Sequence, residues 1–171
     1  MATISDPVND IDNKRYSALR KKLANQAKST ADLTLTPGGI WGKVGIPRRG
    51  ERLYKGLEQG FDYSTIEALL SIGFINKSEL SLFTGITKST LDRRKNEGHL
   101  NTQESDRLYR LVRLLEAATD LLSGDEHKAN DWVRKGAKGL GGRAPIEMIR
   151  TAAETESVID YIGRVKHGIT V

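Results

Sequence analysis

Hydrophobic residues recur at helical spacing along most of the chain after residue 60. In the strongest segment, 104–122, one face carries the apolar side chains and three arginines lie elsewhere. That face holds Leu108, Leu111, Val112, Leu115, Ala118, Thr119 and Leu122. Shorter helices are predicted over 64–72, 76–83, 87–97, 126–135 and 156–166, and another from Pro145 through Ala153. The pattern therefore predicts an all-α fold.

Residues 1–60 show a different pattern. Residues 12–28 place Tyr16, Leu19 and Leu23 beside a basic face, which predicts a short amphipathic helix. Residues 29–60 are rich in glycine and interrupted by proline, which predicts a linker or loosely ordered segment with at most a short strand at 33–36. The compact part of the chain is therefore expected to begin near residue 60.

The positive charge is concentrated in that first third. The chain has 27 Lys and Arg against 22 Asp and Glu, a net charge of +5. Residues 1–60 hold 11 basic and 6 acidic side chains, whereas residues 61–171 hold 16 of each. This distribution fits a flexible basic arm that neutralises phosphates, and it fits a solvated extension equally well.

Residues 77–97 have the outline of a helix-turn-helix. Gly85 supplies the positive φ that a sharp turn requires, Ser81 is small enough for close helix approach, and Ile86 and Leu91 are spaced to pack the second helix onto the first. The second helix would expose donors and cations suited to phosphates and guanine edges. These predicted DNA-binding residues are Thr87, Lys88, Ser89, Thr90, Arg93, Arg94 and Asn96. An ordinary helical hairpin with a solvated basic end is the alternative.

Two features qualify the prediction of DNA binding. Arg94 occupies a position where an apolar residue usually stabilises such a motif. Residues 61–100 hold five basic and five acidic side chains, so the motif region has no basic excess. Phosphate affinity is therefore expected from the cluster at 93–95 together with the N-terminal arm.

The residue inventory argues against an enzyme. Cysteine is absent, which excludes disulfides and thiolate chemistry, and His99, His127 and His167 do not show a metal-binding spacing. The glycine-rich run 136–143 lacks the Lys-Ser/Thr of a phosphate-binding loop and is predicted to be a turn between helices. No metal, cofactor or catalytic set is predicted. The longest apolar runs are too short to span a membrane, and we expect a soluble cytoplasmic protein.

Residues 103–171 make a small helical unit whose own core would be marginal. The helix 104–122 and the final helix both present broad apolar stripes, so surplus apolar surface is expected there. Trp132 is predicted either to anchor the core or to form part of an interface. A dimer or a complex with another protein would bury this surface.

Four features after Phe74 occur in an order typical of one protein family. They are Glu104–Leu108 before the long helix, Ala129 with Trp132, Gly141 and Gly142 with Pro145, and His167 with Gly168. In this order, over roughly 100 residues, the chain resembles antitoxins of the Xre/MbcA/ParS type, the partners of RES-domain toxins.

The resemblance covers the chain from Phe74 onward and implies a helix-turn-helix unit, here 61–102, followed by a helical toxin-binding domain over 103–171. Residues 1–60 lie largely outside it, and their charge and composition predict a basic N-terminal arm and linker. Family toxins resemble ADP-ribosyltransferases and deplete NAD, and the antitoxin blocks their active site. Such antitoxins commonly dimerise, form larger complexes with the toxin, and can repress their own operon by binding operator DNA.

The end of the chain is the predicted toxin contact. Its residues are Tyr161, Arg164, Lys166, His167, Gly168 and Val171. One basic side chain among Arg164, Lys166 and His167 would enter the toxin pocket that binds the phosphates of NAD. A dimeric helix-turn-helix regulator without a toxin partner is the second hypothesis, and a helical enzyme, for which no residue set can be named, is the third.

Overall fold

Helices make up nearly all the regular structure in residues 39–169, the part of the chain that the computed structural model describes. The all-α prediction is confirmed there, while the predicted helix over 12–28 and the strand at 33–36 lie outside the described residues. The α-helices are α1 Ile40–Val44, α2 Glu51–Gln59, α3 Ser64–Ile72, α4 Lys77–Thr84, α5 Lys88–Glu97, α6 Thr102–Leu121, α7 Glu126–Trp132 and α8 Ala152–Lys166. Two 3₁₀ helices, Lys138–Leu140 and Pro145–Met148, lie between α7 and α8.

The long helix α6 is the centre of the fold. It has 20 residues, so it spans about 30 Å. Leu108, Leu111, Leu115 and Ala118 are fully buried on it, as the predicted apolar face requires. The helix packs against α1, α2, α4, α7 and α8. One contiguous hydrophobic core therefore runs from Ile40 to Ile162 and includes both the helix-turn-helix and the C-terminal helices.

Short polar side chains determine where α4 and α6 begin. Asn76 precedes α4, and its side chain accepts hydrogen bonds from the N–H groups of Ser78 and Glu79. Asn101 precedes α6 in the same way: its Oδ1 accepts the N–H of Glu104 at 2.8 Å, and the Glu104 carboxylate accepts the N–H of Asn101 at 2.8 Å. These reciprocal caps satisfy N–H groups that a helix start leaves unpaired. Helix α6 consequently begins two residues before the predicted segment.

The prediction of a loose linker as far as residue 60 is wrong for residues 39–60. Trp41 and Val44 of α1, Ile46 after it and Leu53 of α2 are all buried in the core. The ring of Trp41 packs on Tyr109 of α6 with a centroid separation of 5.2 Å. The folded part therefore reaches back at least to Ile40 instead of beginning near residue 60. Although the segment is rich in glycine and proline, the apolar residues of α1 and α2 pack into the core and stabilise these short helices.

The single helix predicted from Pro145 through Ala153 is also wrong. A 3₁₀ helix ends at Met148, and Thr151 then takes an extended conformation with φ −118° and ψ 156°. Its hydroxyl accepts the N–H of Glu154 at 3.2 Å and so caps α8. Threonine competes in this way with backbone hydrogen bonding and favours a new helix start. Helix α8 therefore begins at Ala152, so the last two residues of the predicted segment, 152 and 153, belong to α8.

A close backbone contact joins the two ends of the segment that contains the helix-turn-helix. The N–H of Leu100 donates to the carbonyl of Phe61 at 2.8 Å, and the N–H of Tyr63 donates to the carbonyl of Gly98 at 2.9 Å. Gly60 has φ +86°, and a Cβ atom there would lie 1.8 Å from the Leu100 carbonyl oxygen. Only glycine fits this position, because both the backbone conformation and the contact exclude a side chain.

Candidate functional site

Helices α4 and α5 form the predicted helix-turn-helix. Gly85 adopts φ +70°, and its N–H donates to the carbonyl of Ser81 at 3.0 Å. Ile86 and Leu91 are buried, and the two helices contact each other, in agreement with the predicted packing. The hydroxyl of Thr84 donates to the carbonyl of Leu80 at 2.6 Å and accepts the N–H of Ile86 at 3.2 Å. The turn is therefore held by both apolar and polar contacts.

The second helix presents most of the predicted DNA-binding residues to solvent. Thr87 caps α5, since its hydroxyl accepts the N–H of Thr90 at 3.2 Å. The exposed side chains are Thr87, Lys88, Ser89, Arg93 and Asn96, and Thr90 is half-buried. These hydroxyl, amide and cationic groups can donate to phosphate oxygens and to base edges.

Arg94 does not share that exposed face, so the prediction that groups it with the others is wrong. Its side chain is only 13% exposed and forms two bonds to Glu104, Nε to Oε2 at 2.7 Å and Nη2 to Oε1 at 3.1 Å. A third contact joins it to Glu97. An ion pair thus takes the place of the usual apolar contact. The partner was not identified from the sequence, although the Asn101–Glu104 capping pattern was a signal that this carboxylate faces inward.

The basic cluster at 93–95 is largely offset by nearby carboxylates. Lys95 lies 3.3 Å from Glu67, and Arg93 lies 3.7 Å from Glu97. Lys77, at the start of α4, contacts Asp92 in the same motif. The cluster therefore presents less free positive charge than its sequence indicates.

Arg134 connects the first helix of the motif to the C-terminal half. Its Nη2 donates to the carbonyl of Phe74 at 2.8 Å and to Glu79 at 3.1 Å. Burial by itself would raise the pKa of Glu79, but the N–H of Asn76 and the Arg134 guanidinium hold that pKa below its ordinary value. The carboxylate that caps α4 thus also holds the segment after α7.

The C-terminal surface combines aromatic and cationic side chains. Tyr161 of α8 stacks on Trp132 with centroids 6.4 Å apart and planes at 13°, and both rings are half-buried against the core. Arg164 is exposed and has no carboxylate within 4 Å among residues 39–169, whereas Nζ of Lys166 pairs with the Asp120 carboxylate. His167 and Gly168 are exposed at the end of α8. Val171 lies outside the described residues.

Two ion pairs hold α8 in place. Arg113 of α6 lies 2.6 Å from Glu156, and Arg143 lies 2.8 Å from Glu154. The side-chain hydrogen bonds from these arginines lower the pKa of both carboxylates. The run 136–143 is a closed turn, as predicted, because the N–H groups of Ala137 and Gly142 donate to carbonyls within it.

The described residues contain neither a metal cluster nor a membrane helix. Between residues 39 and 169, no three His, Asp or Glu side chains are grouped to hold a metal ion. Within the same range, every helix is too short or too polar to cross a bilayer. His99, His127 and His167 are all exposed.

The fold and these surfaces define a helix-turn-helix protein with a C-terminal helical domain. Residues 52–113 match the antitoxin Xre-like helix-turn-helix domain, and residues 117–168 match the antitoxin Xre/MbcA/ParS C-terminal toxin-binding domain. The chain belongs to the Xre family of antitoxins, as the resemblance predicted, and this is not a family of enzymes.

Two relatives carry the name Antitoxin Xre. The protein from Yersinia enterocolitica serotype O:8 / biotype 1B is 36% identical over 132 residues, which cover 76% of this chain and 89% of the relative. The protein from Photorhabdus laumondii subsp. laumondii is 31% identical over 132 residues, with the same coverage. Helix α6 belongs to both matched domains, since its first part lies in 52–113 and its last residues lie in 117–168.

Proposed function

We propose that this protein neutralises a RES-domain toxin that depletes NAD, by covering the active site of the toxin with the end of α8. The match of residues 117–168 to a toxin-binding domain is the observation that carries the proposal, because this range includes α7 and α8. The relatives named Antitoxin Xre support it. The identity of the toxin as a RES protein rests on the family resemblance.

The toxin contact is centred on the last turn of α8. Tyr161 and Trp132 offer partly exposed aromatic surface of the kind that anchors protein interfaces. His167 and Gly168 extend the contact beyond the helix, and Val171 belongs to the proposed contact as a prediction from the sequence. Among the basic residues, Arg164 is the best candidate for the anion pocket, because Lys166 already pairs with Asp120. A planar guanidinium also matches the oxygens of a phosphate site in two-point geometry.

The test is co-expression with the product of the neighbouring reading frame. Expression of that product alone should arrest growth and deplete NAD, and co-expression with this protein should restore both. Arg164→Glu should abolish the protection, because it places a carboxylate in a pocket that binds phosphates. Arg49→Glu is the matched control, since Arg49 is exposed, has no carboxylate within 4 Å among residues 39–169 and lies outside the C-terminal domain.

Each outcome has a distinct meaning. Loss of co-purification and of protection in Arg164→Glu alone supports this docking mode. Full protection by Arg164→Glu would refute the role of that residue. A neighbour that is neither toxic nor bound would refute the toxin partner altogether, and a dimeric DNA-binding regulator would then be the function.

We also propose that the protein represses its own operon as a homodimer. The support is the exposed face of α5, which carries Lys88, Arg93 and Asn96. Two copies related by a two-fold axis would insert their second helices into major grooves about 34 Å apart. Footprinting of the upstream DNA should show two half-sites separated by about one helical turn, and light scattering should give the mass of a dimer, or of a larger species with the toxin. A protein with these partners acts in the cytoplasm.

A further inference from the structure

An open cleft lies beside the turn of the helix-turn-helix. Its volume is about 360 Å³, and it is bounded by the end of α4, the turn itself, the start of α6 and the segment before α8. The lining residues are Ser81, Leu82, Thr84, Gly85, Thr87, Arg107 and Arg150. No carboxylate is among them, and two of the seven are arginines. The cleft is therefore a cationic feature at the site of the motif.

The charges at this cleft are not neutralised by ion pairs within the described residues. Neither Arg107 nor Arg150 has a carboxylate within 4 Å among residues 39–169, and the same holds for Lys88, the first residue of α5. The cations at 93–95, by contrast, all contact glutamates. Within the described residues, the cations of the motif that lack a carboxylate partner thus lie at the beginning of α5 and beside the turn.

Hydrogen bonds hold Arg150 at the turn, and Arg107 lies beside it. Nη2 of Arg150 donates to the carbonyl of Leu82 at 3.0 Å, and the carbonyl of Arg150 accepts Nη1 of Arg110 at 2.7 Å. Arg110 is itself paired with Asp106 at 2.7 Å. Arg107 is half-buried, and a Cβ atom at Gly85 would lie 3.9 Å from its Nη1. The hydrogen bond to the Leu82 carbonyl restricts the Arg150 side chain, which therefore loses little entropy on binding an anion.

We propose that Arg107 and Arg150 bind a backbone phosphate of the DNA duplex in this cleft. When the N-terminal end of a second helix enters the major groove, the first helix crosses the DNA backbone, so a phosphate lies near the turn between them. Arginine binds phosphate oxygens through paired, charge-assisted hydrogen bonds. Arg150 lies in the toxin-binding region, so that region supplies a DNA contact. The inference rests on the DNA binding proposed above.

The test measures DNA affinity as a function of salt. Anisotropy titrations would use the upstream duplex and a scrambled duplex of equal length, with wild type, Arg107→Gln and Arg150→Gln. Each substitution should weaken binding about tenfold at low salt, equally for both duplexes, and should reduce the log–log salt slope by about one. Lys138→Gln is the charge-matched control, because Lys138 is exposed, lacks a carboxylate within 4 Å in the described residues and lies between α7 and α8.

A second variant keeps both arginines in place. Leu82 is 60% exposed at the rim of the cleft, so Leu82→Glu should fold normally and repel a phosphate. It should weaken DNA binding as the arginine substitutions do, whereas Leu82→Gln should have a much smaller effect. Circular dichroism melting of every variant separates misfolding from loss of the contact.

The outcomes separate the two proposals. Wild-type binding that is unchanged in affinity and slope by Arg107→Gln, Arg150→Gln and Leu82→Glu would overturn this inference and leave the repressor function standing. If wild type binds neither duplex, both proposals fail. If the variants weaken the toxin complex but not DNA binding, the cleft faces the toxin and the inference is overturned.

Discussion

Arg94 and Glu104 form a two-point ion pair between α5 and α6, with Nε to Oε2 at 2.7 Å and Nη2 to Oε1 at 3.1 Å. The side chains are 13% and 8% exposed. The same carboxylate accepts the N–H of Asn101 and so caps α6. One glutamate therefore stabilises the start of the central helix and fixes the orientation of the second helix of the motif. The guanidinium of Arg94, which was predicted from the sequence to contact DNA, therefore stabilises the fold.

Removing Arg94 should destabilise the protein rather than affect DNA directly. We expect Arg94→Ala to lower the free energy of unfolding by about 3 kcal/mol, because it leaves the Glu104 carboxylate buried without its partner. Arg93→Ala is the matched control: its side chain is exposed, and the cost in stability should stay within about 0.5 kcal/mol. Urea denaturation of both variants measures the difference.

The two variants should rank in the opposite order when their loss of DNA affinity is measured at a temperature where both are folded. Arg93→Ala should weaken binding to the upstream duplex more than Arg94→Ala does. A stable Arg94→Ala protein that has lost DNA affinity would contradict this assignment and restore Arg94 to the contact surface.

The contact of Gly60 with Leu100 leads to a second prediction. Gly60→Ala should cost at least about 3 kcal/mol in unfolding free energy, because the new Cβ would collide with a backbone carbonyl in a conformation that alanine rarely adopts. Gly73→Ala is the control, since Gly73 has φ +82° but no atom within 4 Å of the added Cβ. That substitution should cost only about 1 kcal/mol of backbone strain. Equal melting temperatures for the two variants would contradict the contact.

Local patterns predicted the central elements well. Helix α3 has the predicted bounds, the turn lies at Gly85 as predicted, and Ile86 and Leu91 are buried as their spacing predicts. The sequence did not reveal α1, because a five-residue helix has too few positions for its periodicity to be visible. The arginine cleft was also missed. Arg107 and Arg150 are far apart in the sequence, and only the packing of the segment before α8 brings them to one turn.

Because residues of α1 are buried in the core, a deletion that tests the N-terminal arm has to leave this helix in place. Deleting residues 1–50 would remove the buried side chains of Ile40, Trp41 and Val44, and loss of the tryptophan alone should cost about 3 kcal/mol or more. Deleting residues 1–38 retains all three. We expect the shorter deletion to keep a melting temperature within a few degrees of wild type, as measured by differential scanning fluorimetry.

The same deletion tests the predicted basic arm. Residues 1–38 hold six basic and four acidic side chains, whereas residues 39–60 hold five and two. The net charge is +2 over residues 1–38 and +3 over residues 39–60, so removal of residues 1–38 should reduce the salt slope of DNA binding by no more than about two. An unchanged slope would show that the deleted segment does not neutralise phosphates.

Lowering the pH should destabilise the packing of α8, because it protonates the two glutamates whose ion pairs hold this helix in place. The pKa of Glu154 and that of Glu156 are lowered by hydrogen bonds from Arg143 and Arg113, so both carboxylates bind protons more weakly in the folded protein than in the unfolded chain. The stability that they contribute is present above their unfolded pKa, near 4.5, and is lost as the pH falls through the lower folded values. The free energy of unfolding should therefore decrease between about pH 5 and pH 3.

Screening by solvent limits how much the two ion pairs contribute to the pH dependence of stability. Both pairs are partly exposed, so each should contribute less than about 1 kcal/mol after screening. Glu156→Gln should flatten the pH dependence over this range, and salt at about 1 M should flatten it in wild type as well. Glu58→Gln is the control, because Glu58 is exposed and its side chain has no basic group within 4 Å among residues 39–169. A pH profile that Glu156→Gln and Glu58→Gln alter equally would show that the Arg113 pair does not stabilise α8.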